Sequence, residues 1–434
     1  MNLVDDYEVV KHIGKGSFSN VYLCKQDPPV LDEDEVDKFF IIKEININEL
    51  VRSYVSRGTV RRVKRGRGVG NIDVNVTPYS EDSELMNTEH EYYFRRLEEL
   101  IDSEIQVLEA LDHPNVIKFY GYTKRDGIYY LRMEYCDGGD VYDFLKGAGN
   151  EKHKNESGGF TNLFLYEFLQ QTVSGLKYIH DRNLIHRDIK LHNVLIKYTD
   201  NDIQFKISDF GFACYDLTSH KDPDMTEVLC KKYYKLCGTP YYMAPEIILN
   251  MSSMENIAMY KSGSRKHRAM LYNKRIDVWS LGICIYELMY NILPFSNIRN
   301  VDDLERFYKL HNIQAILDKK IRRRVSLRNG FKDILLAMIR IDRNERLTID
   351  DVYRFLQGVR SETDLVDTVD QSASILDIIN CRENTYLRNE GMKADVVTNP
   401  LHDLDTSWEK INKSSSLIMK MSVQTGFLQW LFNK

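Results

Sequence analysis

No two of the seven cysteines in this 434-residue sequence form a CxxC pair. Cys24, Cys136, Cys214, Cys230, Cys237, Cys284 and Cys381 are scattered instead. That pattern argues against a structural zinc site or a disulfide framework and fits a reducing compartment. Strong charge of either sign is also missing. The formal net charge is −5, too mild to imply a nucleic-acid or membrane partner, so no nucleic acid is expected. No run is apolar enough to span a bilayer, which takes about 20 mostly apolar residues. The most apolar region, Ile276 to Phe295, contains Asp277 and Glu287 and reads as a buried helix. The first ten residues hold Asp5 and Asp6 and lack the apolar core of a signal peptide. An intracellular, cytoplasmic location is expected, with the nucleus left open. Proline is scarce (9) and tyrosine abundant (27), a weak hint of an AT-rich genome that says nothing about chemistry.

What is present is 43 % hydrophobic and 28 % charged residues, ordinary for a globular chain with a sizeable core. The organising stretch is His186-Arg187-Asp188-Ile189-Lys190-Leu191-His192-Asn193, with aspartate, lysine and asparagine at offsets 0, +2 and +5. Asp209-Phe210-Gly211 lies downstream, and Lys43 ends the strand-like run Phe40-Ile41-Ile42-Lys43 upstream. Moving a nucleotide's terminal phosphoryl group needs a carboxylate to orient the attacking hydroxyl, oxygen ligands for magnesium, and a cation on the retained phosphates. Their order matches the protein-kinase signature set. The chain resembles a eukaryotic-type serine/threonine protein kinase over roughly residues 7 to 358, apart from three insertions.

The resemblance implies an α+β, bilobal fold. Residues 1–136 would form a small β-rich lobe with one main helix, 137–358 a larger, mostly helical lobe, and 359–434 a C-terminal extension. ATP and two magnesium ions are the implied cofactors, and protein substrates the implied partners. Catalytic roles fall to Asp188, Lys190, Lys43, Glu104 and Thr239. Asp188 would accept a hydrogen bond from the substrate hydroxyl, Lys190 would neutralise the transferring group, and Thr239 would bridge the two. Asn193 and Asp209 would each hold a magnesium ion. The glycine-bearing turn Gly14-Lys15-Gly16-Ser17-Phe18-Ser19 would cover the phosphates, with Ser19 where the family has its third glycine. Val21, Ile41 and Met133 would line the adenine slot, Ile41 replacing the usual alanine. Backbone groups of Glu134 and Cys136 would bond the adenine edge, and Asp140 would meet the ribose.

The spacing Leu97, Ile101, Ile105, Leu108, Leu111 predicts a helix, and Glu104 beside that stripe is assigned as the partner of Lys43. The excess of chain between Lys43 and Glu104 is read as an insertion around residues 50–90. Its basic half carries Arg52, Arg57, Arg61, Arg62, Lys64, Arg65 and Arg67, either a solvated loop or a docking arm. A polar stretch from Lys146 to Gly159 and a third excursion around 250–272 are read as surface insertions. A helix is expected over 163–180. Asp277 should hold the backbone of the His186 loop, and Glu246 should pair with Arg346.

Lys190 after Asp188, and the run Gly238-Thr239-Pro240-Tyr241-Tyr242-Met243-Ala244-Pro245-Glu246, are of the serine/threonine type. Lys235 occupies the usual phosphoacceptor position of the activation segment, leaving Thr226, Tyr233 or Tyr234 as alternatives. The tail from Leu417 to Phe432 is apolar and is read as an amphipathic helix packing on the catalytic domain, or as a partner-docking or membrane-surface element. The hinge-like run Met133-Glu134-Tyr135-Cys136-Asp137-Gly138-Gly139-Asp140 and the run Cys237 to Glu246, which the resemblance implies is the substrate-docking run, are similar to autophagy-initiating and calcium/calmodulin-related kinases. The insertions suggest a divergent member from a large DNA virus, acting in its host cell, or from a protist. The alternative to an active enzyme is a kinase-fold scaffold that binds nucleotide and partners.

Overall fold

The computed structural model of the chain describes residues 7–15, 19–26, 39–52, 83–147, 150, 153–154, 160–199, 202–216, 238–249, 273–298, 300–322 and 329–358. Gly16, Ser17 and Phe18, most of the 50–90 insertion, Lys235 and its neighbours, the 250–272 excursion and the tail lie outside these residues. Two compact units form. Of the described residues, one comprises those up to Gly138 together with Ile196–Gly211; the other takes those of Gly139–Leu195 and from Phe212 onward.

In the first unit, strands β1 (Tyr7–Lys15), β2 (Ser19–Gln26), β3 (Phe39–Asn46), β4 (Phe119–Arg125) and β5 (Ile128–Glu134) form an antiparallel sheet of order β1-β2-β3-β5-β4. The central strand β3 is β-branched and aromatic, as strand propensity favours. Alternation along a strand sends successive side chains to opposite faces. Phe40 and Ile42 are buried with Cys24 under Tyr7, Val9, Tyr22 and Tyr130. Ile41 and Lys43 therefore belong to the opposite face, where Ile41 pairs in register with Met133 and Lys43 with Leu131. Helix α1 (Ser83–Glu109) buries Leu97, Ile101, Ile105 and Leu108. It starts well before the apolar stripe predicts, and Arg95 and Glu91 there make an i,i+4 ion pair at 2.6 Å. A hairpin of Val194–Tyr198 with Ile203–Ile207 returns to this unit from Ile196 onward.

The second unit is helical: α2 (Val141–Lys146), α3 (Asn162–Asp181), α4 (Arg275–Tyr290), α5 (Val301–Leu310), α6 (Ile313–Arg322), α7 (Asn329–Met338) and α8 (Ile349–Gly358). Helix α3 buries the expected stripe of Phe164, Phe168, Thr172, Leu176 and Ile179, and Leu165, Leu169 and Val173 as well. Helix α4 is buried from Ile276 to Tyr290, as a helix apolar on all sides must be. It ends at Asn291, whose left-handed φ of 53° suits asparagine at a helix terminus. The stretch after α2 is not wholly superficial. Asn150 is buried, and its amide nitrogen donates to the carbonyl oxygens of Phe144 and Leu145 at 2.5 and 3.4 Å, supplying donors that the last turn of α2 lacks. Among the described residues no helix is long and apolar enough to cross a membrane.

Candidate functional site

The first unit gathers Lys43, Glu104 and Asp209. The pleat of β3 presents the lysine to α1, where Lys43 Nζ donates to Glu104 Oε1 at 2.8 Å and stands 4.0 Å from Asp209 Oδ1. Burial alone would lower the lysine's pKa; the Glu104 carboxylate first, then Asp209, more than offset it, and the net direction is up. The ammonium is thus a fixed positive charge. Asp209 sits at φ 62°, a left-handed conformation that aspartate adopts more readily than most residues. Phe210 beside it is fully buried, and the Asp209 side chain keeps 49 % of its surface. An exposed carboxylate beside a lysine is a suitable oxygen donor for a hard cation shared with phosphates.

Of the other nucleotide-contact candidates on this unit, Gly14, Lys15, Ser19, Val21, Ile41, Met133 and Glu134 lie in strands, and Cys136 follows β5. Gly14 pairs with Val21 across β1 and β2, and Val21 with Lys43 across β2 and β3. Ser19 opens β2, and the backbone of Lys15 closes β1. Met133 and Cys136 are buried, and burial pushes the Cys136 thiol up to about 12.

The second unit gathers Asp188, Lys190, Asn193 and Thr239. Asp188 Oδ1 accepts from the Thr239 backbone N–H and hydroxyl, both at 2.9 Å. Its Oδ2 accepts from Lys190 Nζ at 2.7 Å and Asn193 Nδ2 at 3.0 Å. Lys190 Nζ also reaches Thr239 Oγ1 at 3.0 Å, so this hydroxyl lies between aspartate and lysine. Asn193 Nδ2 donates again to the Asp188 carbonyl at 2.8 Å; of the carboxamide's two polar atoms, the oxygen is the one whose chemistry suits magnesium. The docking run approaches through Gly238, whose φ is 104° and where a Cβ would fall 2.6 Å from the Arg187 carbonyl oxygen. Only glycine fits there.

Support comes from below. Asp277, in the first turn of α4, accepts the backbone N–H groups of His186 and Arg187, both at 2.8 Å, and meets His180 Nε2 at 2.9 Å. Burial would raise this carboxyl; His180 and the His186 amide prevail, and its pKa is lowered. Arg187, at φ 69°, donates through Nε to the Phe212 carbonyl at 2.6 Å. Arg346, wholly buried, grips Glu246 with two hydrogen bonds of 2.8 Å. Asp140 is spent in part on capping α2, its Oδ1 accepting from the Asp143 N–H at 2.8 Å.

Three features escaped the motif reading. Glu287 on α4 receives a very short hydrogen bond from the Tyr242 hydroxyl. His180 joins Asp277. Glu134 offers its side chain to two lysines. An acidic residue inside an apolar helix was a visible signal for Glu287, although its partner was not.

A family model described as "Protein kinase domain" matches residues 85–355, well over half of the chain. The chain belongs to this protein kinase family. The match opens inside α1, so β1 to β3 lie outside it, and the Lys43–Glu104 pair ties the unmatched strands to the matched helix. Calcium-dependent protein kinase 5 of Plasmodium falciparum is 29 % identical over 324 residues, covering 73 % of this chain and 48 % of the relative. Serine/threonine-protein kinase ATG1b of Arabidopsis thaliana is 29 % identical over 259 residues, 60 % of this chain and 30 % of that protein. MAP kinase kinase kinase wis4 of Schizosaccharomyces pombe is 36 % identical over 208 residues, 48 % and 13 % respectively. The kinase chain spans less than half the length of each of these relatives.

Proposed function

We propose that this chain is an active serine/threonine protein kinase, transferring the terminal phosphoryl group of ATP to serine and threonine hydroxyls of proteins. The observation that supports it most is the four-donor cradle around Asp188. A carboxylate fixed by four donors is an orienting acceptor, suited to aiming a hydroxyl in a reaction that needs positioning and charge neutralisation more than a strong base. Magnesium-bound ATP supplies the phosphoryl group. Lys43, held by Glu104, is assigned to the phosphates ATP keeps, and Lys190 to the group in transit. Asp209 and the Asn193 carboxamide oxygen are assigned to magnesium. Gly14 to Ser19 is assigned to covering the phosphates, and Val21, Ile41, Met133 and the backbone of Glu134 and Cys136 to adenine. The choice of serine and threonine rests on Lys190 and the Gly238–Glu246 run, and accords with the names of relatives. An intracellular place of action accords with the scattered cysteines and the absence of a CxxC pair in the sequence.

Purified chain incubated with magnesium, radiolabelled ATP and a generic basic protein should incorporate label, and Asp188→Ala should incorporate about a thousandfold less. Equal labelling by the two proteins would establish the scaffold reading instead. Hydrolysed product should contain phosphoserine and phosphothreonine; a preponderance of phosphotyrosine would overturn the stated preference.

A further inference from the structure

Behind the end of β5 lies a charge cluster that no sequence motif accounts for. The Glu134 side chain is only 4 % exposed. Its Oε1 accepts from Lys197 Nζ at 2.7 Å, and its Oε2 lies 3.0 Å from Lys206 Nζ and 3.3 Å from the Lys118 backbone nitrogen. Lys206 is buried too, and donates to the Pro114 carbonyl at 2.9 Å. Burying Glu134 and Lys206, with Lys197 only partly covered, is costly, and apolar residues of similar size commonly stabilise at least as well. Such a cluster is therefore a poor source of stability. Fixing a geometry is a better account of it.

The geometry in question is the backbone of Glu134–Gly138. Glu134 N–H donates to the Lys118 carbonyl at 2.9 Å. Asp137 Oδ1 accepts from the Tyr198 N–H at 2.9 Å. Gly138 N–H donates to the Ile196 carbonyl at 2.9 Å, in a contact so close that a Cβ on Gly138 would stand 2.4 Å from Ile196 Cγ2. Lys197 lies in the same strand as Ile196 and Tyr198, and Lys206 in the strand paired with it. The ion pairs thus clamp one end of the segment to the hairpin that holds its other end.

We propose that Glu134, Lys197 and Lys206 are positioning residues for nucleotide recognition. They act through the backbone of Glu134 to Cys136, fixing the carbonyl and amide that bond the adenine edge. The proposal rests on the nucleotide-binding reading above. Its signature is selectivity for the base: loosening the clamp weakens whatever carries adenine and leaves phosphate binding alone.

The test is calorimetric titration of the full chain with adenosine, with magnesium ADP and with magnesium tripolyphosphate, thermal unfolding being recorded in parallel. Lys206→Met keeps the aliphatic stem and removes the ammonium. Adenosine and ADP should each bind about tenfold more weakly, with tripolyphosphate unchanged. Lys206→Arg should recover adenosine affinity to within about twofold, because the charge returns. If Lys206→Met binds adenosine as the wild type does, or loses all three ligands alike, the cluster is merely structural and the proposal falls. Should Lys206→Met not fold, Lys197→Met decides by the same criteria, since the Lys197 side chain is 23 % exposed and tolerates change better. A wild type that binds neither adenosine nor ADP sinks the nucleotide reading and this proposal with it. Wild-type binding with indifferent variants sinks the proposal alone.

Discussion

Asp277 and Glu287 are carried by one buried helix, yet their carboxyl groups are pushed in opposite directions. Asp277 is lowered below the ordinary carboxylate value. Glu287 is raised from 4.5 to about 7. Burial acts upward on both, so burial does not separate them. Their partners do. Asp277 has two backbone N–H groups and an imidazole within 2.9 Å. Glu287 has the Tyr242 hydroxyl, with Lys146 acting at longer range. Fixed donors make the first acid a permanent anion around which the His186 loop is wound. The second acid keeps its proton until the pH approaches about 7, and a neutral acid can be stored in a core at small cost.

The two acids lead to predictions of decreasing size. Asp277→Ala strips the His186 and Arg187 amides of their acceptor and should cost about 3–5 kcal/mol in urea unfolding, with loss of phosphoryl transfer. The contribution of Asp277 is present above the ordinary carboxylate range and is lost as pH falls through its lowered folded value. Glu287 works on the other flank. Its folded pKa is raised, so its contribution is full below 4.5 and is lost as pH rises through about 7. Glu287→Gln should remove that loss, making the variant more stable than the wild type by about 2–3 kcal/mol at pH 8 and no different at pH 4.5. A wild-type-minus-variant difference that is flat with pH would mean that Glu287 titrates alike in the folded and unfolded chain. Tyr242→Phe should have the smallest effect, about 1 kcal/mol near pH 6. Removing this donor should also move the Glu287 titration higher, visible as a shift of the same pH curve.

The same helix shows what was legible in the sequence. Its burial was readable from Ile276 to Phe295, because apolar composition on every side leaves a helix nowhere else to go. The loop residues Asp188, Lys190 and Asn193 were readable because their spacing is local and fixed. Helical periodicity placed a helix around Glu104, and its pairing with Lys43 followed from the kinase resemblance; the start of α1 was not readable, since its first turns carry no apolar stripe. Glu287 could be noticed but not explained: Tyr242 is 45 positions away, and no period in a sequence connects them. No motif or spacing in the sequence marks Lys197 or Lys206. Only the fold reveals that both turn inward onto Glu134.

Arg346 carries a consequence for how the second unit is made. Its guanidinium meets Glu246, the carbonyls of Arg275 and Arg340, and the ring of Trp279 at 5.1 Å. Glu246 precedes its partner by 100 positions. On the ribosome, the docking run is synthesised long before the residue that latches it, so the latch closes late in the order of synthesis. Contacts of such long range slow folding. A chain cut short before Arg346 would retain Asp188, Thr239 and Glu246 and still leave Glu246 without the arginine that holds it.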